Sequence, residues 1–143
     1  MTWHRDRDEP VLRIEDLSVT FFVRQSLFRT RPIQAVSTVN LVLALGETVA
    51  VVGESGSGKT TLGRATLHLA PISAGRVVFE GSDIGQLEGA DLMSFRQRAQ
   101  VIFQDPFSSL SPYMRVGELV AEPLAIHGPK DRDQQHRRVL EAL

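Results

Sequence analysis

Apolar and polar positions alternate from Val11 to Val23, through Leu12 and Ile14 and then Leu17, Val19 and Phe21, with a change of face near Asp16. A period of two predicts a half-buried strand, and the change of face predicts a bulge in it or two short strands. Arg24 to Pro32 breaks the alternation with three arginines and reads as a hairpin loop. Those arginines either stay solvated or meet phosphate or lipid headgroups. Val39, Leu41, Leu43 and Leu45 alternate with Asn40, Val42 and Ala44, which predicts a returning strand up to a Gly46-Glu47 turn. The β-branched apolar run Thr48 to Val52 predicts a buried strand, and Thr60 to Leu69 a helix. Pro71 to Gly75 is a turn, and Arg76 to Glu80 a short strand closed by Gly81, Ser82 and Asp83. Ala90 to Arg98 looks helical, and Gln100 to Gln104 is another short apolar strand, ended by Asp105-Pro106 because proline cannot donate to a ladder. Val116 to His127 has helical spacing but contains Pro123, which predicts a kinked or split helix. Asp131 can cap a last helix from about Arg132 to Leu143. The order predicts an α/β fold in which early antiparallel strands stand beside a parallel part.

Composition narrows the picture without overturning it. The 143 residues, 42% of them hydrophobic, suffice for one core, and residues 1–10 are polar and mixed in charge. A formal net charge of -1 gives no overall attraction to nucleic acid, so no nucleic-acid partner is expected. No apolar run approaches the length of a membrane-spanning helix, and the start does not resemble a secretory signal. With no cysteine there is neither a disulfide framework nor a thiolate metal site. His4, His68, His127 and His136 are scattered without ligand spacing.

One segment carries chemistry. Gly53, Glu54, Ser55, Gly56, Ser57, Gly58, Lys59, Thr60 and Thr61 fit G-x-x-x-x-G-K-[ST] between a predicted strand and a predicted helix, the setting of a phosphate-binding loop. The glycines let the backbone turn with its N–H groups inward, and the helix that follows adds the positive end of its dipole. Lys59 would reach the β- and γ-phosphates, and the Thr60 hydroxyl would complete the shell of a Mg²⁺ between them. The alternative is a flexible Gly/Ser linker, which is not normally entered from a valine-rich strand.

A phosphate loop alone does not separate a kinase, a GTPase, a helicase or a transporter motor. The segment from Gln100 to Glu118, with Phe103-Gln104 leading into Asp105-Pro106, then Ser109-Leu110-Ser111-Pro112 and Val116-Gly117-Glu118, resembles the Q-loop region of ABC-transporter ATPases. It is most similar to the ATP-binding subunits of oligopeptide, dipeptide and nickel importers. Glu54 to Ser57 and Ala121-Glu122-Pro123-Leu124 fit that subgroup too, so the resemblance spans Val11 to the C-terminus. It implies a P-loop NTPase fold of the α/β class: an ABC-type nucleotide-binding core with an antiparallel β subdomain over residues 11–143, and a helical subdomain beginning near residue 116. It also implies ATP and Mg²⁺ as ligands. Phe21 falls where the family stacks an aromatic residue on adenine; the alternatives are a core phenylalanine or that role taken by Phe22. Gln104, 45 residues after Lys59, falls where a neutral amide ligates Mg²⁺ and senses the membrane subunit, unless it is a surface glutamine. Val101 to Asp105 superficially resembles a Walker B strand, but Gln104 in the fourth position and Pro106 after it exclude that reading.

The family's signature motif, its Walker B strand ending in Asp-Glu and its switch histidine have no match here, so no catalytic residue is assigned. The expectation is a nucleotide-binding domain truncated before those motifs, its apolar helical pattern still running at Val139 to Leu143. By resemblance the intact protein would be a peripheral ATPase on the cytoplasmic face of the cell membrane. It would be paired with a second nucleotide-binding subunit, alike or different, with permease subunits and, indirectly, with an extracytoplasmic solute-binding protein. The competing readings are a nucleotide-binding or permease-docking fragment without hydrolysis, and an unrelated P-loop enzyme such as a small-molecule kinase.

Overall fold

The computed structural model describes residues 10–26, 29–105, 110–128 and 131–143. They form two compact units, divided between Arg96 and Gln97. The first unit is built on a four-stranded antiparallel sheet in the order β2-β1-β3-β4. Its strands are β1 (Leu12–Ser26), β2 (Arg29–Leu43), β3 (Ala74–Phe79) and β4 (Ser82–Asp83). The change of face expected near Asp16 is a bulge: Asp16 adopts φ 47°, and the β1–β2 register shifts between Ile14 and Leu17. Because of that shift Ile14, Leu17 and Val19 all turn inward and are buried, with Val36 and Val77 against them. β3 closes on the same place. Gly75, at φ 74°, lies so near the Glu15 and Asp16 carbonyls that any Cβ would overlap them.

The hairpin departs from the pattern reading. Residues 24–26 and 29–32 continue the ladder, with Val23 opposite Arg31 and Arg24 opposite Thr30, where a loop was expected. Cross-strand backbone hydrogen bonds are indifferent to side-chain polarity, so a ribbon exposed on both faces pairs without any alternation, here with a register shift between Arg24 and Ser26. Leu27 and Phe28, the rest of the expected loop, lie outside the described residues.

Helix α1 (Lys59–Thr66) buries Leu62 and Ala65, and α2 (Gly89–Arg98) buries Phe95, whose ring meets Phe79 edge-on at 5.2 Å. A 3₁₀ turn over Ile84–Gln86 is capped by Asp83, whose Oδ1 accepts the Gly85 N–H at 2.9 Å. The second unit holds α3 (Val116–His127) and α4 (Arg132–Ala142). α3 is one continuous helix with Pro123 inside it, so the expected split does not occur. α4 starts as read: Asp131 Oδ1 accepts the Asp133 N–H at 3.0 Å.

Two expected strands are not formed. Residues 48–52 and 100–103 carry no regular secondary structure and belong to no ladder among the described residues. Val52, in the run expected to be buried, is 87% accessible, and Ile102 is 90% accessible. β-branched apolar runs favour a strand only where a neighbour supplies hydrogen bonds and cover. All paired strands among the described residues are therefore antiparallel, and the parallel part of the expected architecture is unpaired here.

Candidate functional site

The candidate phosphate loop, Gly53 to Thr61, follows residues 48–52 directly and ends in the first turn of α1. Gly56 (φ 81°) and Gly58 (φ 94°) both take left-handed backbone, and Gly58 is also the N-cap of the helix. An L side chain resists both conformations. Ser57 N–H donates to the Glu54 carbonyl at 3.3 Å, and Leu62 N–H to the Gly58 carbonyl at 2.8 Å. The amides of Lys59, Thr60 and Thr61 precede a full helical turn, so the helix provides them no acceptor. They remain available to an anion.

Lys59 is half-buried, folded over the mouth of the loop. Its Nζ donates to the Gly53 carbonyl at 2.9 Å, the Glu54 carbonyl at 2.5 Å and Ser57 Oγ at 3.3 Å. An ammonium has three donors, and here each points at a loop acceptor. The lysine thus holds the two sides of the loop together while remaining beside its amides.

A cavity of about 790 Å³ opens next to the loop, walled by Gly53, Ser57 and Lys59 on one side and by Gln34, Ala35 and Ser37 of β2 on the other. Sequence reasoning missed that second wall. Gly58 lies so close to the Ala35 carbonyl oxygen that any Cβ would overlap it. The contact joins backbone to backbone across 23 residues, and no side-chain pattern marks it.

The predicted site residues are distributed unevenly. Gly53 to Thr61 form one continuous loop and helix start, with Thr60 exposed at the beginning of α1. Phe21 lies on β1 opposite Ile33, on the face of buried Val19 by strand alternation, and is 37% exposed. It does not line the cavity, though its partner Ile33 adjoins Gln34, which does. Phe22 points to the opposite face and is 73% exposed. Gln104 is exposed and belongs to the second unit, where it follows a segment outside any ladder among the described residues rather than a strand. Residues 106–109 of the Q-loop-like segment lie outside the described residues.

The donor set suits an anionic phosphate chain: the amides of the first turn of α1, one ammonium and a helix N-terminus, with no carboxylate side chain among the cavity walls. The Thr60 hydroxyl is a neutral oxygen donor of the kind Mg²⁺ takes beside phosphate. Among the described residues no group of three or more His, Cys, Asp or Glu could hold a metal by itself. A metal at this site would depend on the phosphates for most of its ligands.

Residues 36–143 match the ABC transporter family. The glutathione import ATP-binding protein GsiA of Pectobacterium atrosepticum is 43% identical over 133 residues, covering 92% of this chain and 21% of that protein. The chain thus spans about a fifth of the length of the curated relatives it matches. Among solved structures, the ATP-binding cassette MJ0796, a dimer bound to ADP and Pi in a post-hydrolysis state, superposes with a TM-score of 0.69 at 25% identity. That match covers 91% of this chain and 54% of the cassette. The cbiO1 protein of Clostridium perfringens, part of the ABC transporter complex cbiONQ, shares the fold with a TM-score of 0.68 at 24% identity, over 95% of this chain and 50% of that one.

Proposed function

The chain belongs to the ATP-binding domains of ABC transporters, and on that premise we propose that Gly53 to Thr61 hold the phosphates of Mg-ATP for a subunit that energises solute import. The observation that carries the reading is the loop: left-handed Gly56 and Gly58 ahead of α1, with Lys59 Nζ folded over the carbonyls at its mouth. In this reading the amides of the loop and of the first turn of α1 donate to phosphate oxygens, and Lys59 exchanges loop carbonyls for the β- and γ-phosphates. Thr60 offers an oxygen ligand to Mg²⁺, which when bound neutralises charge on the phosphates, and for Gln104 the Mg²⁺-ligand role is the one the family resemblance implies. Phe21 stacks on the adenine.

Glutathione, for whose import the 43% identical relative is named, is a tripeptide, and the Ser109 to Pro112 and Val116 to Glu118 motifs resemble those of peptide and nickel importers. A short peptide or similarly small solute is therefore the proposed cargo. The proposed assembly pairs this ATPase with a second nucleotide-binding subunit and with permease subunits that receive cargo from an external binding protein. The dimeric state of MJ0796 supports the pairing. The proposed location is the cytoplasmic face of the membrane, held there by the permeases; among the described residues no helix is long and apolar enough to cross one.

The test is titration calorimetry of ATP with Mg²⁺ into the chain and its Lys59→Ala variant. The variant is expected to lose measurable binding, since charge-assisted contacts contribute about 1.5–3 kcal/mol each. Lys59 also ties the loop together, so the thermal midpoint is followed in parallel and should fall only slightly. Equal ATP affinity in both proteins would remove the phosphate-loop reading.

A further inference from the structure

Two residues other than glycine hold left-handed backbone in adjacent strands, Asp16 in β1 (φ 47°) and Thr38 in β2 (φ 48°). Thr38 is the more strained, because a β-branched side chain crowds its own backbone there. Each is held by a side chain from the opposite strand. Thr38 N–H donates to Ser18 Oγ at 3.0 Å. Asp16 N–H donates to Asn40 Oδ1 at 2.8 Å, and Asn40 Nδ2 donates back to Asp16 Oδ1 at 2.9 Å. These bonds satisfy groups that the bulges take out of the ladder.

Strained backbone persists only where its surroundings over-determine it, and here the surroundings converge on one place. Past the bulge, Val19 pairs with Val36 and Thr20 with Gln34, so Ala35 is left without a partner in β1. Its carbonyl oxygen meets Gly58, and a Val36 methyl lies 3.6 Å from where a Gly58 Cβ would stand. Gly58 is the left-handed residue from which α1 starts.

We propose that the crossed bulges position the phosphate loop: Ser18, through the Thr38 N–H, sets the bend in β2 that seats the Ala35 carbonyl against Gly58. The seat fixes the backbone turn that presents the loop amides. Ser18 is then a positioning residue for phosphate binding although it touches no part of the loop. The inference rests on Gly53 to Thr61 being the phosphate site.

The other edge of β1 provides an internal comparison. Ser73 Oγ accepts the Thr20 N–H at 2.9 Å, a hydrogen bond of the same kind that ties β1 to the turn before β3 and not to β2. The experiment titrates Mg-triphosphate, which has no base, into the 143-residue chain and into Ser18→Ala, Ser18→Thr and Ser73→Ala, with a thermal midpoint for each. Ser18→Ala is expected to weaken triphosphate binding about tenfold, a ratio of the size one hydrogen bond supports, and Ser18→Thr to restore it. Ser73→Ala should lower the midpoint comparably yet leave affinity within about twofold. Equal losses of affinity in Ser18→Ala and Ser73→Ala, or a Ser18→Ala variant that loses only stability, would overturn the proposal. Should Ser18→Ala fail to fold, it is combined with Thr38→Gly, which relieves the backbone strain, and compared with Thr38→Gly alone under the same criteria. Triphosphate binding by wild type that Lys59→Ala abolishes upholds the phosphate site even where Ser18 proves inert. A wild-type chain that binds no triphosphate overturns both.

Discussion

At the scale of single residues, the two aromatic candidates on β1 are separated by strand alternation. Phe21 shares the face of buried Val19 and stands opposite Ile33, next to the β2 wall of the cavity, while Phe22 faces away. Phe21→Ala is therefore expected to weaken ATP and ADP binding by about 1–3 kcal/mol through lost stacking, and to leave triphosphate binding unchanged. An equal loss for triphosphate would make Phe21 a core residue. Thr38 leads to an expectation of the opposite sign. Its left-handed backbone costs an L residue about 1–2 kcal/mol, and glycine adopts it freely, so Thr38→Gly should raise thermal stability by up to about 1 kcal/mol once the added chain entropy of glycine is set against the relief. A fall in the midpoint would mean that Thr38 makes side-chain contacts outweighing its strain. Neither residue stands out by type: Phe21 is legible from the alternation and the family resemblance, whereas the strain at Thr38 is a backbone angle that its sequence neighbours do not encode.

At the scale of elements, those that came out as read were the ones whose signals are local. α2 starts within one residue of its expected position, and α4 follows the Asp131 cap, a bond between residues two apart. Asp131→Ala should cost about 1 kcal/mol of helix stability, seen as a loss of helical signal on mild heating. Residues 48–52 show the converse. Their apolar β-branched run is right for a strand, yet a strand is a relation between segments, and among the described residues none pairs with them. Amide exchange is expected to be fast at Val49, Val51 and Val52 and slow at Ile14, Leu17, Val19 and Val77, which lie in the paired, buried sheet. Protection at 48–52 equal to that of β1 would place that segment in a ladder after all.

At the scale of the whole chain, the exposed apolar side chains of residues 48–52 and 101–103 carry a cost, since exposed apolar surface of this kind promotes association. Replacing Val52 and Ile102, 87% and 90% accessible, by lysine should raise the soluble concentration with little change in midpoint. A large drop in midpoint would show that both side chains are buried in the folded chain. The 143 residues are also expected to release no phosphate from ATP above background, because no general base is assigned among them and such groups contribute about 10²–10⁴-fold each. Sustained Mg²⁺-dependent turnover abolished by Lys59→Ala would point to an unrecognised base, with Asp105 and Glu118 the first to replace. The sequence by itself determined the glycine-rich loop between residues 53 and 61, the helix starts, a change of face near Asp16 and, through ordered motifs, the family, because each is written in residues close together along the chain. Tertiary structure alone decided that Ala35 of β2 walls the site, that Ser18 and Asn40 hold two strained turns, and that the run before the loop is unpaired. Those outcomes depend on which backbones meet across tens of residues, and hydrogen-bonding backbone is the same at every position.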